Sequence, residues 1–239
     1  MTEKIAAITG GAGALGSIVA TRLVRDGYRV ALLDIDRSRA RAEELARSLG
    51  RGRAVVCAGD FGKADTWAAA LGTIREAFGA APTHAALVAG GWDGGVALHA
   101  AKDDAAYERM MAFNVDTVYR AFRALLPAMV EAQHGSIVVV GSRAVERPWT
   151  SAGAAAYAAS KAAVVTMAQA TAEEVLATGV RINAVLPSTM DTPANRAAMP
   201  EVDPAKWVSL ESAAGVIAFL LSEEARDVTG AALPVYGRV

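Results

Sequence analysis

A chain of 239 residues, 53% hydrophobic and 21% charged, suits one α/β domain with a sizeable core. A formal net charge of -1 gives no pull toward nucleic acid or acidic lipid, and no apolar run approaches the ~20 residues of a membrane span, so neither partner is expected. The single cysteine, Cys57, excludes an intrachain disulfide framework and reads as a buried strand residue in a reducing compartment; without a basic-plus-apolar leader before Lys4, the expected location is cytoplasmic.

Lys4–Thr9 is a short apolar strand, followed at once by Gly10-Gly-Ala-Gly-Ala-Leu-Gly16 and a helix over Ser17–Arg25 with Ile18, Val19, Leu23 and Val24 on its apolar side. Tyr28–Asp34 completes strand–helix–strand. Gly11, Gly13 and Gly16 fit G-x-G-x-x-G, whose small residues let backbone N–H groups and the helix start approach a pyrophosphate. Asp34 ends the second strand 18 residues after Gly16, where a carboxylate accepts from ribose hydroxyls and repels a 2′-phosphate. Together with the lack of Arg or Lys in Gly10–Gly16, it favours NAD(H) over NADP(H), although the nearby Arg37 works the other way.

Farther along, Ser38–Leu49 is a charged helix and Arg53–Cys57 a third strand; Asp65–Phe78 is a helix and His84–Ala89 a fourth strand. Asp103–Val130 carries helical pattern as two helices with a break near Phe113, ended by His134-Gly135. Ser136–Val140 is a fifth strand running into Gly141-Ser142. Ala154–Ala177 is a long Ala-rich helix, Val180–Leu186 a sixth strand, Leu210–Leu221 a helix and Ala231–Val235 the last strand. Short β-rich runs alternating with helices predict a doubly wound parallel sheet of about seven strands, covered by helices on both faces, in a single domain over residues 1–239. The Pro-spaced stretch Thr189–Trp207 has little pattern and suits a substrate lid at about 189–208.

Tyr157-Ala-Ala-Ser-Lys161 places a phenol and an ammonium four apart, on one face of the Ala-rich helix. A neighbouring cation favours phenolate, so the pair suits acid/base work in a carbonyl/alcohol interconversion. Ligands in such sheets sit beyond the carboxyl ends of the strands, which collects Gly10–Gly16, Asp34, Asp60, Ala89–Gly95, Ser142–Trp149 and Leu186–Thr192. Trp92, Trp149 and Trp207 fall in these loops or the lid. Each indole also suits covering loop backbone; three together, with Met199, point to a pocket for a flat or aromatic substrate. His84, His99 and His134 have no metal-ligand spacing, and no metal is expected.

With these features in place the chain resembles the short-chain dehydrogenase/reductase family from end to end. The family's T-G-x-x-x-G-x-G lies on Thr9–Gly16, with Ala14 where the middle glycine usually sits. The resemblance implies a Rossmann fold whose dinucleotide is held by Gly10, Gly11, Gly13, Ala14, Leu15, Gly16, Asp34, Ile35, Asp60, Phe61, Ala89, Gly90, Gly91, Tyr157, Lys161, Pro187, Met190 and Thr192. It implies that Asn114 anchors a water, that Ser142 bonds the substrate carbonyl, that Tyr157 donates the proton, and that Lys161 holds the nicotinamide ribose while lowering the Tyr157 pKa. It also implies a homodimer or homotetramer, with the small-residue helix bearing Tyr157 open to close approach by another. Ser142 precedes Tyr157 by 15 positions, about two more than is common.

Val88-Ala-Gly-Gly-Trp-Asp-Gly-Gly95 and Val185-Leu-Pro-Ser-Thr-Met-Asp-Thr-Pro-Ala-Asn-Arg196, with Gly13–Ser17 and Met199–Glu201, resemble one branch more closely, the quinonoid dihydropteridine reductases. That branch lacks the active-site serine present here at Ser142. The expected activity is therefore NAD(H)-dependent interconversion of a carbonyl and an alcohol on a small aromatic or cyclic substrate. The alternatives are NADH-dependent pterin reduction and a dinucleotide sensor without catalysis. An acyl-carrier-bound ketone would want a basic patch near the lid, and 189–207 sets Arg196 and Lys206 against Asp191, Glu201 and Asp203.

Overall fold

Neighbouring residues of the first strand face different cores. Ile5 and Ala7 join one apolar cluster, Ala6 and Ile8 another, and all four are fully buried. The computed structural model describes residues 4–238; Thr2 and Glu3, expected from sequence to run straight into the first strand, lie outside the described residues. The strands β1 (Ile5–Thr9), β2 (Arg29–Asp34), β3 (Ala54–Ala58), β4 (His84–Leu87), β5 (Gly135–Val140), β6 (Val180–Pro187) and β7 (Ala232–Val235) form one parallel sheet in the order β3-β2-β1-β4-β5-β6-β7. Strand order reverses between β1 and β4, so the crevice for a ligand opens beyond Thr9 and Leu87.

On one face, α1 (Ala14–Arg25), α2 (Arg39–Leu49) and the late helix at Leu210–Leu221 contribute Leu15, Val19, Leu23, Ala42, Ile217 and Leu221 to the core. On the other, α3 (Ala64–Phe78), the helix at Thr117–Glu131 and the helix at Ala155–Glu174 contribute Trp67, Ile74, Val118, Leu125, Val164 and Ala168. The Rossmann expectation is met, and most element bounds agree within three residues. The first helix begins at Ala14 rather than Ser17, because Gly13 already serves as its N-cap.

Two segments differ from expectation. Asp103–Val130 does not break near Phe113; α4 (Ala105–Met110) and α5 (Thr117–Glu131) are joined by a π-helical turn over Met111–Asp116. A π turn carries an extra residue and rotates the helix beyond it, which sends Asn114 inward (1% exposed) and leaves Phe113 half exposed. The Ala-rich helix, α6, runs over Ala155–Glu174 and ends in a short 3₁₀ turn. The stretch at 189–208 is ordered by α7 (Pro193–Ala198), whose N-cap Thr192 accepts from Asn195 N, and by a parallel bridge between Met190 and Val208 that ties its two ends.

The amino ends of the strands form a polar floor under α8 (Leu210–Leu221). Its last carbonyls accept from Arg181 Nη1 (Leu220 O, 2.7 Å), Arg181 Nη2 (Ser222 O, 3.0 Å) and Ser136 Oγ (Leu220 O, 3.1 Å). His84 is buried beside this floor, edge-on to Tyr28 (5.0 Å between ring centroids) and to His134 (5.6 Å), with Thr83 Oγ1 at 2.8 Å from its Nδ1. Burial, then the charges of His134, Lys4 and Arg181, hold its pKa down to about 3. Folded protein therefore keeps His84 neutral where unfolded chain protonates it. Stability is complete above the unfolded pKa near 6.5 and falls as pH drops toward 3, by up to about 1.4 kcal/mol per pH unit. Urea midpoints should decline between pH 6.5 and 4, and His84→Phe should flatten that decline; parallel pH profiles for both proteins would refute it.

Candidate active site

The turn after β1 closes on itself. Gly10 has φ of +64°, Gly13 N donates to Gly10 O (2.9 Å), and a Cβ on Gly16 would lie 2.1 Å from Gly10 O. Gly13 begins α1 with no side-chain cap and no acidic residue in the first turn, so helix N–H groups of Ala14, Leu15 and Gly16 are open to an anion. Asp34 binds the turn to β2: its Oδ2 accepts from Ala12 N and its Oδ1 from Ile35 N, both at 2.9 Å. Thr9 Oγ1 accepts from Ala89 N (3.1 Å) and joins the ends of β1 and β4 at the crevice. Asp60 is exposed, accepting from Gly62 N (3.0 Å) and pairing with Lys63. Phe61 is buried edge-on against Trp67, whose Nε1 donates to its carbonyl, so a ligand would meet Phe61 through its backbone.

Ser142 follows β5, and Tyr157 and Lys161 lie one turn apart on α6. Ser142 Oγ accepts from Ala144 N (3.1 Å) and lies close enough to the Tyr157 hydroxyl to influence it. Burial raises the Tyr157 pKa, and the Ser142 hydroxyl opposes the rise. Lys161 is buried, its pKa pushed down to about 8 by desolvation, and its Nζ donates to Val140 O (2.8 Å). The Lys161 ammonium turns to the end of β5, and Ser142 is a side chain that favours phenolate.

Asn114 meets this group from the π turn. Its Oδ1 accepts from Gly91 N (2.9 Å), and its Nδ2 donates to Gly91 O (3.2 Å) and Ser160 Oγ (2.9 Å). Ser160 Oγ in turn donates to Tyr157 O (2.8 Å). Ser160 was not singled out from sequence, although it sits inside Tyr157–Lys161; nothing local marks it. Gly90 is pressed between the two, since a Cβ there would lie 2.7 Å from Asn114 Oδ1 and 3.2 Å from Lys161 Nζ.

The remaining candidates separate. Trp92 and Trp149 are 66% and 74% exposed on the loops after β4 and β5, whereas Trp207 is buried at the base of the 189–208 segment. Gly95 N donates to Gly153 O (2.9 Å), clasping those two loops together, and Asp93 pairs with Arg109 of α4. A groove of about 630 Å³ lies between them, lined by Val96, Leu98, Tyr107 and Ala154 but not by Ser142, Tyr157 or Lys161. Pro187 ends β6, Met190 O accepts from Asn195 Nδ2 (2.8 Å), and Met199 is half-buried past α7. Arg196 is held by Asp191 at 2.6 and 2.7 Å.

Residues 4–203 match the family model of short chain dehydrogenases. The chain belongs to the short-chain dehydrogenase family. Among its relatives, a 2,5-dichloro-2,5-cyclohexadiene-1,4-diol dehydrogenase of Sphingobium indicum is 31% identical over 251 residues, 99% of this chain and 96% of that protein. A 2-(S)-hydroxypropyl-CoM dehydrogenase of Xanthobacter autotrophicus is 32% identical, again over 99% and 96%. The crystal structure of a 3-ketoacyl-(acyl-carrier-protein) reductase from Brucella melitensis complexed with NADH is similar with a TM-score of 0.87, 28% identity and 98% coverage of both chains.

As a short-chain dehydrogenase the chain is an oxidoreductase acting on alcohol and carbonyl groups, and the family binds a nicotinamide dinucleotide. The residues present fit that group. The closed glycine turn leaves room for nothing larger than hydrogen at Gly16, the start of α1 is free of acids, and Asp34 at the end of β2 offers carboxylate oxygens that would accept from ribose hydroxyls. When bound, the nicotinamide gives or takes the hydride. Tyr157 carries a proton that could be transferred, and Ser142 a hydroxyl that could donate to an oxygen gaining charge. Among the described residues no His, Cys, Asp and Glu group could hold a metal ion, and no helix is long and apolar enough to cross a membrane.

Proposed function

We propose that this short-chain dehydrogenase uses NAD(H) to interconvert a carbonyl and an alcohol on a small cyclic or aromatic substrate. The observation that carries the reading is the buried Ser142 at the end of β5, beside Tyr157 with Lys161 one turn away on α6, because a serine donor serves a carbonyl oxygen. The cofactor-binding, catalytic and pocket residues named from sequence are part of this proposal, with the 189–208 segment as the lid. A dinucleotide sensor would need none of this proton chemistry. The diol dehydrogenase of Sphingobium indicum supports a cyclic substrate by its name, and the exposed indoles of Trp92 and Trp149 support a flat one. Likeness to the ketoacyl reductase weighs less, since Arg196 is already paired with Asp191 and the segment keeps little free positive charge for an acidic carrier. A homodimer or homotetramer in the cytoplasm completes the proposal; the exposed aromatic side chains of Phe113 and Tyr119 support association.

A second reading is reduction of a quinonoid pterin, favoured by the Val88–Gly95 loop, which presents Trp92 to solvent and resembles that branch. One screen tests both: NADH oxidation against quinonoid dihydropterin and a panel of cyclic and aryl ketones and aldehydes. Faster turnover of the pterin than of every carbonyl would reverse the order of the two readings.

NAD preference rests on Asp34, whose two oxygens also hold Ala12 and Ile35 N–H groups. NADH should bind more tightly than NADPH. Asp34→Ala should narrow the gap by about tenfold or more, the scale of one lost charge-assisted hydrogen bond. Fluorescence titration of both cofactors checks this, and tighter NADPH binding by the unmodified protein would end the idea.

A further inference from the structure

The segment beyond β7 touches three loops of the candidate site within four residues. Val235 O accepts from Ser188 N (3.1 Å), and Tyr236 O accepts from Ser188 Oγ (2.6 Å), on the loop after β6. Arg238 N donates to Lys206 O (2.9 Å), at the base of the 189–208 segment. Between them Gly237, with φ of +65°, packs so closely that a Cβ would lie 2.9 Å from Lys206 O. The third contact reaches the Ser142–Ala154 loop, where the Tyr236 hydroxyl donates to Glu146 Oε2 (2.5 Å) and the Arg147 guanidinium lies 5.3 Å over the phenol ring.

That last contact matters because the loop is long and largely bonded to itself. Its backbone hydrogen bonds (Val145 N to Ser142 O, Arg147 N to Arg143 O, Thr150 N to Arg147 O, Ala154 N to Ser151 O) join residues three or four apart. From Glu146 to Gly153, beyond its packing on α6, its hydrogen bonds and ring contacts to the rest of the described chain are Gly153 O with Gly95 N at one end and Glu146 and Arg147 with Tyr236 at the other. Trp149 stands between these ties, exposed.

We propose that Tyr236 is a positioning residue, whose hydroxyl holds the Glu146–Trp149 stretch in place over the substrate while the same residue's backbone holds the loop after β6. It acts through Glu146 and touches neither reacting atom. Desolvation and the bond to Glu146 push the Tyr236 pKa up to about 12, so the hydroxyl remains a donor at any working pH. The assignment rests on the carbonyl reading only in the choice of substrate.

Tyr236→Phe removes one hydroxyl and keeps the ring under Arg147. With the best carbonyl of the panel, KM should rise about tenfold while kcat and the NADH Kd stay within about twofold. Glu146→Ala should do the same, the double variant should be no worse than either single one, and Glu146→Gln, which keeps an acceptor oxygen, should match wild type. An unchanged KM in Tyr236→Phe, an additive double variant, or a loss of thermal stability alone would overturn the assignment. If wild type reduces none of the carbonyls, the functional reading fails separately. Hydrogen exchange of amides 146–153 then decides: it should quicken about tenfold in Tyr236→Phe, and unchanged protection would overturn the assignment.

Discussion

Tyr157→Phe should lower turnover by about 10²–10⁴-fold and leave NADH affinity nearly unchanged, the signature of a lost general acid. The substitution deletes a hydroxyl and nothing else, and the phenyl ring keeps its place on α6 one turn before Lys161. Burial raises the pKa of that hydroxyl, and Ser142 opposes the rise without cancelling it. It is therefore a protonated donor at neutral pH, as reduction of a carbonyl needs. Lys161→Ala is a harsher change. It empties a buried position and orphans Val140 O, so cofactor affinity and stability should fall together with turnover. Single-turnover rates with NADH, alongside a cofactor titration, separate the two outcomes. Full activity of Tyr157→Phe on the best substrate would remove Tyr157 from the chemistry.

Ser142→Ala distinguishes the substrate classes. Ser142 Oγ accepts from Ala144 N, which leaves its own proton free to donate to a carbonyl oxygen beside Tyr157. If the substrate is a ketone or aldehyde, the variant loses a hydrogen bond that strengthens as charge builds on oxygen, at a loss of about 10²–10³ in rate. It should also raise the Tyr157 pKa further, since the one contact opposing its rise is gone. A quinonoid pterin needs no such donor, so its turnover should barely change. Both substrates would fit loops bearing Trp92 and Trp149, which makes rate rather than binding the deciding quantity. Carbonyl turnover that is the higher in wild type and collapses in the variant supports the proposal. Pterin turnover that exceeds it and survives would replace it.

Legibility in the sequence tracked the range of the interaction. The doubly wound sheet could be read because each strand is a short apolar run and each helix a 3.6-residue pattern, both properties of a few neighbouring residues. The glycine turn could be read for the same reason, its atoms coming from Gly10–Gly16 alone. The spacing of Tyr157 and Lys161 placed both on one face of a helix, as α6 does. The sequence erred where a local pattern admits more than one solution. An apparent break near Phe113 is a π turn, and the weak pattern of 189–207 conceals a capped helix closed by the Met190–Val208 bridge.

The partners of the polar groups were decided by tertiary structure. Lys161 could have faced Tyr157 by spacing, yet its ammonium meets Val140 O because β5 ends beneath α6 and a buried cation requires an acceptor. Asn114 reaches Ser160 across 46 positions, and Tyr236 reaches Glu146 across 90. By itself the sequence determined which elements form and which residues stand at the carboxyl ends of the strands, since propensity and periodicity act within a turn or two. Which of those residues touch depends on the order β3-β2-β1-β4-β5-β6-β7, which sets distant strand ends side by side and obliges each buried donor to find the acceptor that the fold brings to it.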